Sequence, residues 1–306
     1  MAAVLNSNVA SLYASKNLQG AQSKMADSVE RLSSGLRINR ASDDAAGLGI
    51  ANALTQQING ANQGVRNLND GISMVQTAEG AIAAAQEMAQ RILTLATQGA
   101  NGTLGATERT AIQSEMRQLI TAINGIGTRT KFSGNTLLNV VIGDSAGTAK
   151  FTLQVSNTTT DTISLDRTAF KDIGMGATGA GIAATDNSTG QASALINAIN
   201  GTNVVSGVGA DAATAMQAVQ TAANNYITAL STQRSLLGAY QNQIEFTVSN
   251  TTELASNLTA ARSNVQDTDY ASETASLTKG QILQQAATAM LAQANQMPNV
   301  ILSLLK

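Results

Sequence analysis

Residues Leu54 to Val75 read LTQQINGANQGVRNLNDGISMV. The apolar positions Leu54, Ile58, Ala61, Val65, Leu68, Ile72 and Val75 alternate steps of four and three. A strand repeats every second residue; this spacing instead lines up one stripe of a helix. The register continues through Ile82 towards Ile92 and Leu95. A 3-4 repeat sustained over several heptads predicts coiled-coil packing. At helical rise the segment is about 75–80 Å long.

Outward from this stretch the helical pattern recurs. On the N-terminal side, Val4, Leu18, Met25 and Leu32 share a seven-residue grid, with Val29 and Leu36 on a neighbouring one. This predicts an amphipathic helix from Val4 to about Leu36. Gly35 marks its stop, Arg37 to Ser42 a connector, and Ser42 or Asp43 a cap for the next helix. On the C-terminal side, Gly99 to Gly105 reads as a turn. Ile112, Met116, Leu119, Ile123 and Ile126 then predict a shorter helix folding back on the long one.

The middle of the chain changes period. Phe151, Leu153 and Val155 alternate with polar residues, Thr162 to Leu165 do so less cleanly, and SNTTTD lies between. This predicts a β-hairpin. Gly174 to Gly209 is rich in Gly, Ala, Ser, Thr and Asn and reads as a loop with a short helix near Ala192 to Ile199. Gly174, Gly176, Gly179 and Gly181 make no phosphate loop, because no Gly-Lys-Ser/Thr follows. The N-x-S/T triplets at Asn157 and Asn187 are weak signals.

Helix resumes near Asp211. Val219, Ala222, Tyr226, Leu230, Gln233, Leu237, Tyr240, Ile244, Thr247, Thr251, Leu254, Leu258, Ala261 and Val265 again step by threes and fours. Asp267 to Asp269 interrupts. A last helix carries Leu283, Ala287, Met290, Ala294, Met297, Ile301 and Leu304, with a kink or break expected at Pro298. The order is a palindrome of helix, break, long helix, middle, long helix, break, helix. The expected fold is mainly α: a long antiparallel coiled-coil helical hairpin with both termini at one end, plus a small β-hairpin region in mid-chain. The corresponding segments are 1–42, 43–140, 141–210, 211–266 and 267–306.

Composition narrows the function. The 306 residues carry a formal net charge of -2 with only 12% charged side chains, which gives no basic footprint for nucleic acid. Histidine and cysteine are absent, which removes most general-base, nucleophile and transition-metal designs and every disulfide. No cofactor or metal site is expected. The N-terminus, MAAVLNSNVASLYASK, lacks the basic and apolar regions of a cleaved signal, and no apolar run is long enough to insert in a membrane.

Three stretches carry a family resemblance. RLSSGLRINRASDDAAG (Arg31 to Gly47), GAYQNQIEFTVSN (Gly238 to Asn250) and LTKGQILQQAATAMLAQANQMPNVILSLLK (Leu277 to Lys306) resemble, in order and position, the signatures of bacterial flagellins. The similar regions cover about the first 140 and the last 95 residues. The resemblance implies a short form with little or no outer variable domain, and a subunit of the helical flagellar filament used for swimming. Terminal helices would polymerise as a concentric coiled-coil core around a central channel. It also implies an extracellular homopolymer and type III export without a cleaved signal. Implied partners are the flagellar export apparatus, a secretion chaperone, and junction and cap proteins.

The palindrome and the resemblance together mark Leu18, Met25, Leu32, Met290, Met297, Val300, Ile301, Leu304 and Leu305 as subunit-packing residues. Arg31, Arg37, Arg40, Asp43 and Asp44 form either a joint between inner and outer helices, held by bidentate Arg contacts, or a solvated charge cluster. By resemblance, Gln90, Arg91, Leu95 and Glu115 match the stretch read by the Toll-like flagellin receptor of a host, while Ala89, Leu93 and Thr94 depart from it. The same residues fit a neighbour-subunit contact. A hook–filament junction protein and a coiled-coil binding module or translocator are the competing readings. A metalloprotease insert is closed by the lack of histidine.

Overall fold

The computed structural model describes residues 8–138, 149–170, 173, 189–201 and 210–304. The helices are α1 (Val9–Ser34), α2 (Ala45–Gly99), α3 (Ala106–Arg129), α4 (Thr189–Asn200), α5 (Ala210–Gln266) and α6 (Tyr270–Leu304). The strands are β1 (Lys131–Phe132), β2 (Asn135–Thr136), β3 (Ala149–Gln154) and β4 (Thr162–Asp166). The chain is mainly helical, with its strands confined to the middle. It divides into two compact units, Met1–Ile58 with Ala255–Lys306, and Asn59–Leu254.

In the first unit, α1 and α6 lie antiparallel. Asn8 donates to the Ala294 carbonyl at 2.7 Å at one end, and Arg31 meets Glu273 at 3.7 Å at the other. The buried positions of α1 are Ala14, Ala21 and Ser28. Those of α6 are Gly280, Ala287 and Ala294. Both sets step by seven, so the seam is a heptad of small residues that lets the two backbones approach closely. Gly280 faces Met25: a Cβ added there would lie 3.5 Å from the Met25 Cβ.

Capping sets the helix ends. Asn8 accepts the Ser11 N–H at 3.1 Å and starts α1. Gly35 ends it at φ 73°, a left-handed conformation that suits glycine, with its N–H on the Arg31 carbonyl. The cap of α2 is Asp44, which accepts the Gly47 N–H at 2.8 Å, rather than Ser42 or Asp43. Asp269 does the same for α6, accepting from Ala271 at 3.0 Å. Helix α6 then runs through Pro298 to Leu304, so the expected break there is not found.

In the second unit, α2 and α5 run antiparallel. Arg234 reaches Gln86 at 3.1 Å and Glu79 at 3.3 Å, and a Cβ on Gly99 would press on Met216. The 3-4 repeat of α2 is buried as Ala61, Gly64, Leu68, Gly71, Val75, Ala78, Ile82, Ala85, Ala89, Ile92, Ala96 and Gly99. Gly64 and Gly71 thus hold the places that hydrophobicity assigned to Val65 and Ile72, which are only half-buried. The reason is the β3–β4 hairpin lying against this face. A Cβ on Gly64 would overlap the Val155 carbonyl oxygen, one on Gly71 would overlap Leu153 Cδ1, and one on Gly60 would lie 2.9 Å from Asn157 Cβ.

Strands β3 and β4 pair antiparallel, Leu153 with Ile163 and Phe151 with Leu165. Phe151 meets Phe170 edge-on with centroids 5.3 Å apart. Ile163, Leu165 and Phe170 join the core made by Ile82, Ile92, Met116, Ile123, Leu230 and Leu237. The two-residue pairing of β1 with β2 had no clear period in the sequence. Its turn uses Ser133 and Gly134, both at positive φ.

Candidate assembly surfaces

The small-residue seam between α1 and α6 leaves the large apolar side chains of both helices uncovered. Leu12 is 72% exposed, Tyr13 66%, Ile282 60%, Leu283 46% and Met290 65%. An open groove of about 720 Å³ runs along the pair, lined by Tyr13, Lys16, Lys24, Leu283, Met290 and Gln293 among others. Single exposed apolar residues are ordinary on a protein surface, but a row in which Tyr13, Leu283 and Met290 line one groove along two paired helices marks an interaction face. Of the residues marked from sequence, Met290 belongs to this row. Leu18, Met25 and Leu32 are half-buried along the edge of the seam. Met297, Val300, Ile301 and Leu304 lie on α6, but their side chains, and Leu305 altogether, fall outside the described residues.

The charge group of the sequence does converge, between the ends of α1 and α6. The breaks in the two chain halves are laced together by backbone. Arg37 N–H donates to the Gln266 carbonyl at 2.7 Å and Thr268 N–H to the Gly35 carbonyl at 2.9 Å, around a bridge between Leu36 and Asp267. The Arg37 guanidinium donates to the Val265 carbonyl at 2.5 Å. Arg40 pairs with Glu30 at 2.8 Å. Ile38 fills the joint, 1% exposed, under Gly47.

The bidentate arginine–carboxylate contacts expected for Asp43 and Asp44 are not what holds the joint. Asp43 Oδ2 accepts two backbone N–H groups, from Arg40 at 2.9 Å and Asn39 at 3.0 Å. Those two donors, Arg40 first, hold its carboxyl below the usual aspartate value, with Arg31 and Arg40 adding attraction. A carboxylate facing N–H groups in a tight connector has this effect whatever the surrounding charges.

The third group divides. Arg91 grips a single oxygen of Glu115 with two nitrogens, at 2.7 and 3.0 Å, linking α2 to α3. Both are well exposed, as is Gln90. Leu95 is 2% exposed within the subunit core, so it offers no surface to a partner. Among the described residues no group of His, Cys, Asp and Glu could hold a metal ion, and no helix is long and apolar enough to cross a membrane.

Comparison with known proteins agrees with this architecture. Residues 5–141 match the bacterial flagellin N-terminal helical region, and residues 216–305 match the bacterial flagellin C-terminal helical region. The chain belongs to the bacterial flagellin family. This flagellin is 39% identical to Flagellin of Bacillus subtilis over 311 aligned positions, covering 99% of each chain. It is 36% identical to Flagellin B of Vibrio cholerae over 376 aligned positions, covering all of both. Its fold also matches a solved flagellar hook-associated protein from Vibrio parahaemolyticus, with a TM-score of 0.56, at 14% identity over 74% of this chain and 100% of that one. The flagellin is a structural subunit of the extracellular bacterial flagellar filament, and it is not an enzyme.

Proposed function

We propose that the α1–α6 pair is the polymerising element of this flagellin, packing with its copies as a concentric coiled-coil layer around a central channel. The observation that carries the reading is the division of labour along the pair. Ala14, Ala21, Gly280, Ala287 and Ala294 make the seam within the subunit, while Leu12, Tyr13, Ile282 and Met290 face outward. Covering one such side chain is worth about 1.5–3 kcal/mol, so a row of them repeated over many copies is a strong drive to assemble. The test is polymerisation of purified full-length Leu283→Gln, Met290→Gln. Leu283 is 46% and Met290 65% exposed in the subunit, so the monomer keeps its helical circular dichroism and loses filament growth. Normal filaments from this variant would reject the reading.

Segments 1–42 and 267–306 are then the inner layer, 43–140 and 211–266 the outer core, and 141–210 the hairpin and variable linker. The lacing of residues 35–37 to 266–268 supports a joint that fixes the angle at which α1 leaves α2 and α6 leaves α5. Family membership supports the export apparatus, a secretion chaperone, and junction and cap proteins as partners. The exposed row Gln90, Arg91 and Glu115 suits either a neighbouring subunit or a host Toll-like receptor, with Leu95 acting only as the core beneath it.

A further inference from the structure

The chain holds four Asn-Gly steps, at Asn59, Asn101, Asn124 and Asn200. Such a step is the least hindered setting for an asparagine to react with its own backbone. The peptide nitrogen of the glycine attacks the side-chain amide carbon, and no glycine side chain blocks the approach. Whether it happens depends on what holds the two groups. Asn59 and Asn124 lie inside α2 and α3, where the glycine nitrogen belongs to the helical ladder and the backbone is pinned. Asn200 closes α4, so its backbone is fixed in the last helical turn. Asn101 is different. It sits in the exposed turn between α2 and α3, and Gly102 beside it is exposed, with open space around it.

The turn also supplies the hydrogen bonds that the reaction needs. Attack requires Gly102 to lose its N–H proton, which leaves negative charge shared with the Asn101 carbonyl of the same peptide. That carbonyl accepts from Leu104 N–H at 3.3 Å and from the Arg109 guanidinium at 3.5 Å. A cation and an amide donor on this oxygen stabilise the deprotonated peptide. Thr103 N–H donates to Asn101 Oδ1 at 3.2 Å. It polarises the amide and stabilises the oxyanion that forms when Cγ becomes tetrahedral, as any donor placed at a developing charge does. Both positions where charge develops therefore already face donors.

We infer that Asn101 is a site of spontaneous covalent modification, converting through a cyclic imide to aspartate and isoaspartate. The Gly102 proton goes to solvent base and the nitrogen–Cγ bond forms. Collapse of the oxyanion breaks the Cγ–Nδ2 bond, and Nδ2 leaves as ammonia with a proton from water. Water then opens the ring. Cleavage at Cγ leaves an ordinary aspartate in place of Asn101, and cleavage at the main-chain carbonyl gives an isoaspartyl link. The sum is one water in and one ammonia out, with no oxidant or reductant. The aspartate form places a carboxylate in the turn that precedes the N-terminus of α3, where negative charge is favourable. The isoaspartate form inserts a methylene into the backbone of the turn itself.

The experiment is slow incubation of the full-length monomer in mildly alkaline buffer at physiological temperature, with tryptic peptides followed by mass spectrometry. Peptide 92–109 carries Asn101. In the folded chain Asn101 loses its amide at least about tenfold faster than Asn59 and Asn124, whose reaction must wait for local opening of a helix. In urea the sites react at similar rates. Gly102→Ala, tolerated because nothing surrounds that position, slows Asn101 in the folded chain without changing its circular dichroism. Equal rates at Asn101, Asn59 and Asn124 in the folded chain would overturn the inference. So would a preference for Asn101 that persists unchanged in urea, because the turn would then play no part.

Discussion

Gly64→Ala is the sharpest probe of how the hairpin is seated. In a free helix this change stabilises by about 1 kcal/mol, because alanine loses less conformational entropy than glycine. Here the new Cβ would overlap the Val155 carbonyl oxygen and lie 2.5 Å from its carbon. Those are backbone atoms just past the end of β3, which cannot rotate away as a flexible side-chain tip could. Relieving the overlap means lifting the end of β3 off α2, which disturbs Val155, Ile163 and Leu165 in the core. Overpacking of this kind costs about 1–3 kcal/mol. Gly80 is the matched control, exposed on the same helix with nothing within 4 Å of a Cβ. The difference in urea-unfolding free energy between Gly80→Ala and Gly64→Ala cancels the propensity gain and isolates the overlap, about 1–3 kcal/mol. The transition followed must be that of the unit holding both residues, because the two units need not unfold together. Protease cleavage in the 156–161 loop is expected to rise in Gly64→Ala alone. Equal stability and equal cleavage in the two variants would refute the seating of the hairpin on Gly64.

Three further outcomes follow from the same geometry. Gly35→Ala forces a side chain into left-handed backbone at φ 73° and towards the Tyr270 hydroxyl 2.9 Å away, so thermal or urea unfolding should show a loss of about 1–2 kcal/mol. The Asp43 carboxyl is held below 3.8 by the Arg40 and Asn39 N–H groups, so its contribution is complete above the unfolded value and is lost only as pH falls through the lower folded one. The amide resonances of Asn39 and Arg40 should therefore titrate with a midpoint below 3.8; a midpoint at or above it contradicts the assignment. Arg91→Ala removes an exposed ion pair and should change stability by under about 1 kcal/mol, whereas Leu95→Ala empties a core position and should cost about 2–5 kcal/mol. If the Leu95 variant is as stable as wild type, that residue is not in the core.

Much of the fold was legible because heptads repeat. The stripe from Leu54 to Val75 and the matching one from Val219 to Val265 placed both long helices within a few residues of α2 and α5. Misreadings came where hydrophobicity was a poor guide to contact. Gly64 and Gly71 are buried because a strand lies on them, and a hydrophobic stripe favours Val65 and Ile72 instead. Leu254 was placed in the α5 stripe, yet it is exposed and Ala255 is buried. Along α1 the same bias hid the seam, since Ala14, Ala21 and Ser28 carry little hydrophobic signal while Leu18 and Met25 carry more; on α6 the stripe already held Ala287 and Ala294 and missed only Gly280. The charges around Arg31 to Asp44 do not explain how the two connectors are laced: backbone donors on Asp43, and bonds to carbonyls 228 or more residues away, leave no pattern in sequence. Leu95 was drawn towards a surface role by resemblance, although its place in the heptad already put it on the buried face.

The central claim is that the subunit closes its own terminal pair with small residues and keeps its large apolar side chains for its neighbours. Helical reconstruction of the filament by electron cryomicroscopy tests it most directly. The account expects Ala14, Ala21, Gly280 and Ala287 to face one another within each subunit, and Leu12, Tyr13, Ile282 and Met290 to be buried against adjacent copies. Finding those four large side chains exposed to solvent, or α1 and α6 of one subunit parted, would contradict it.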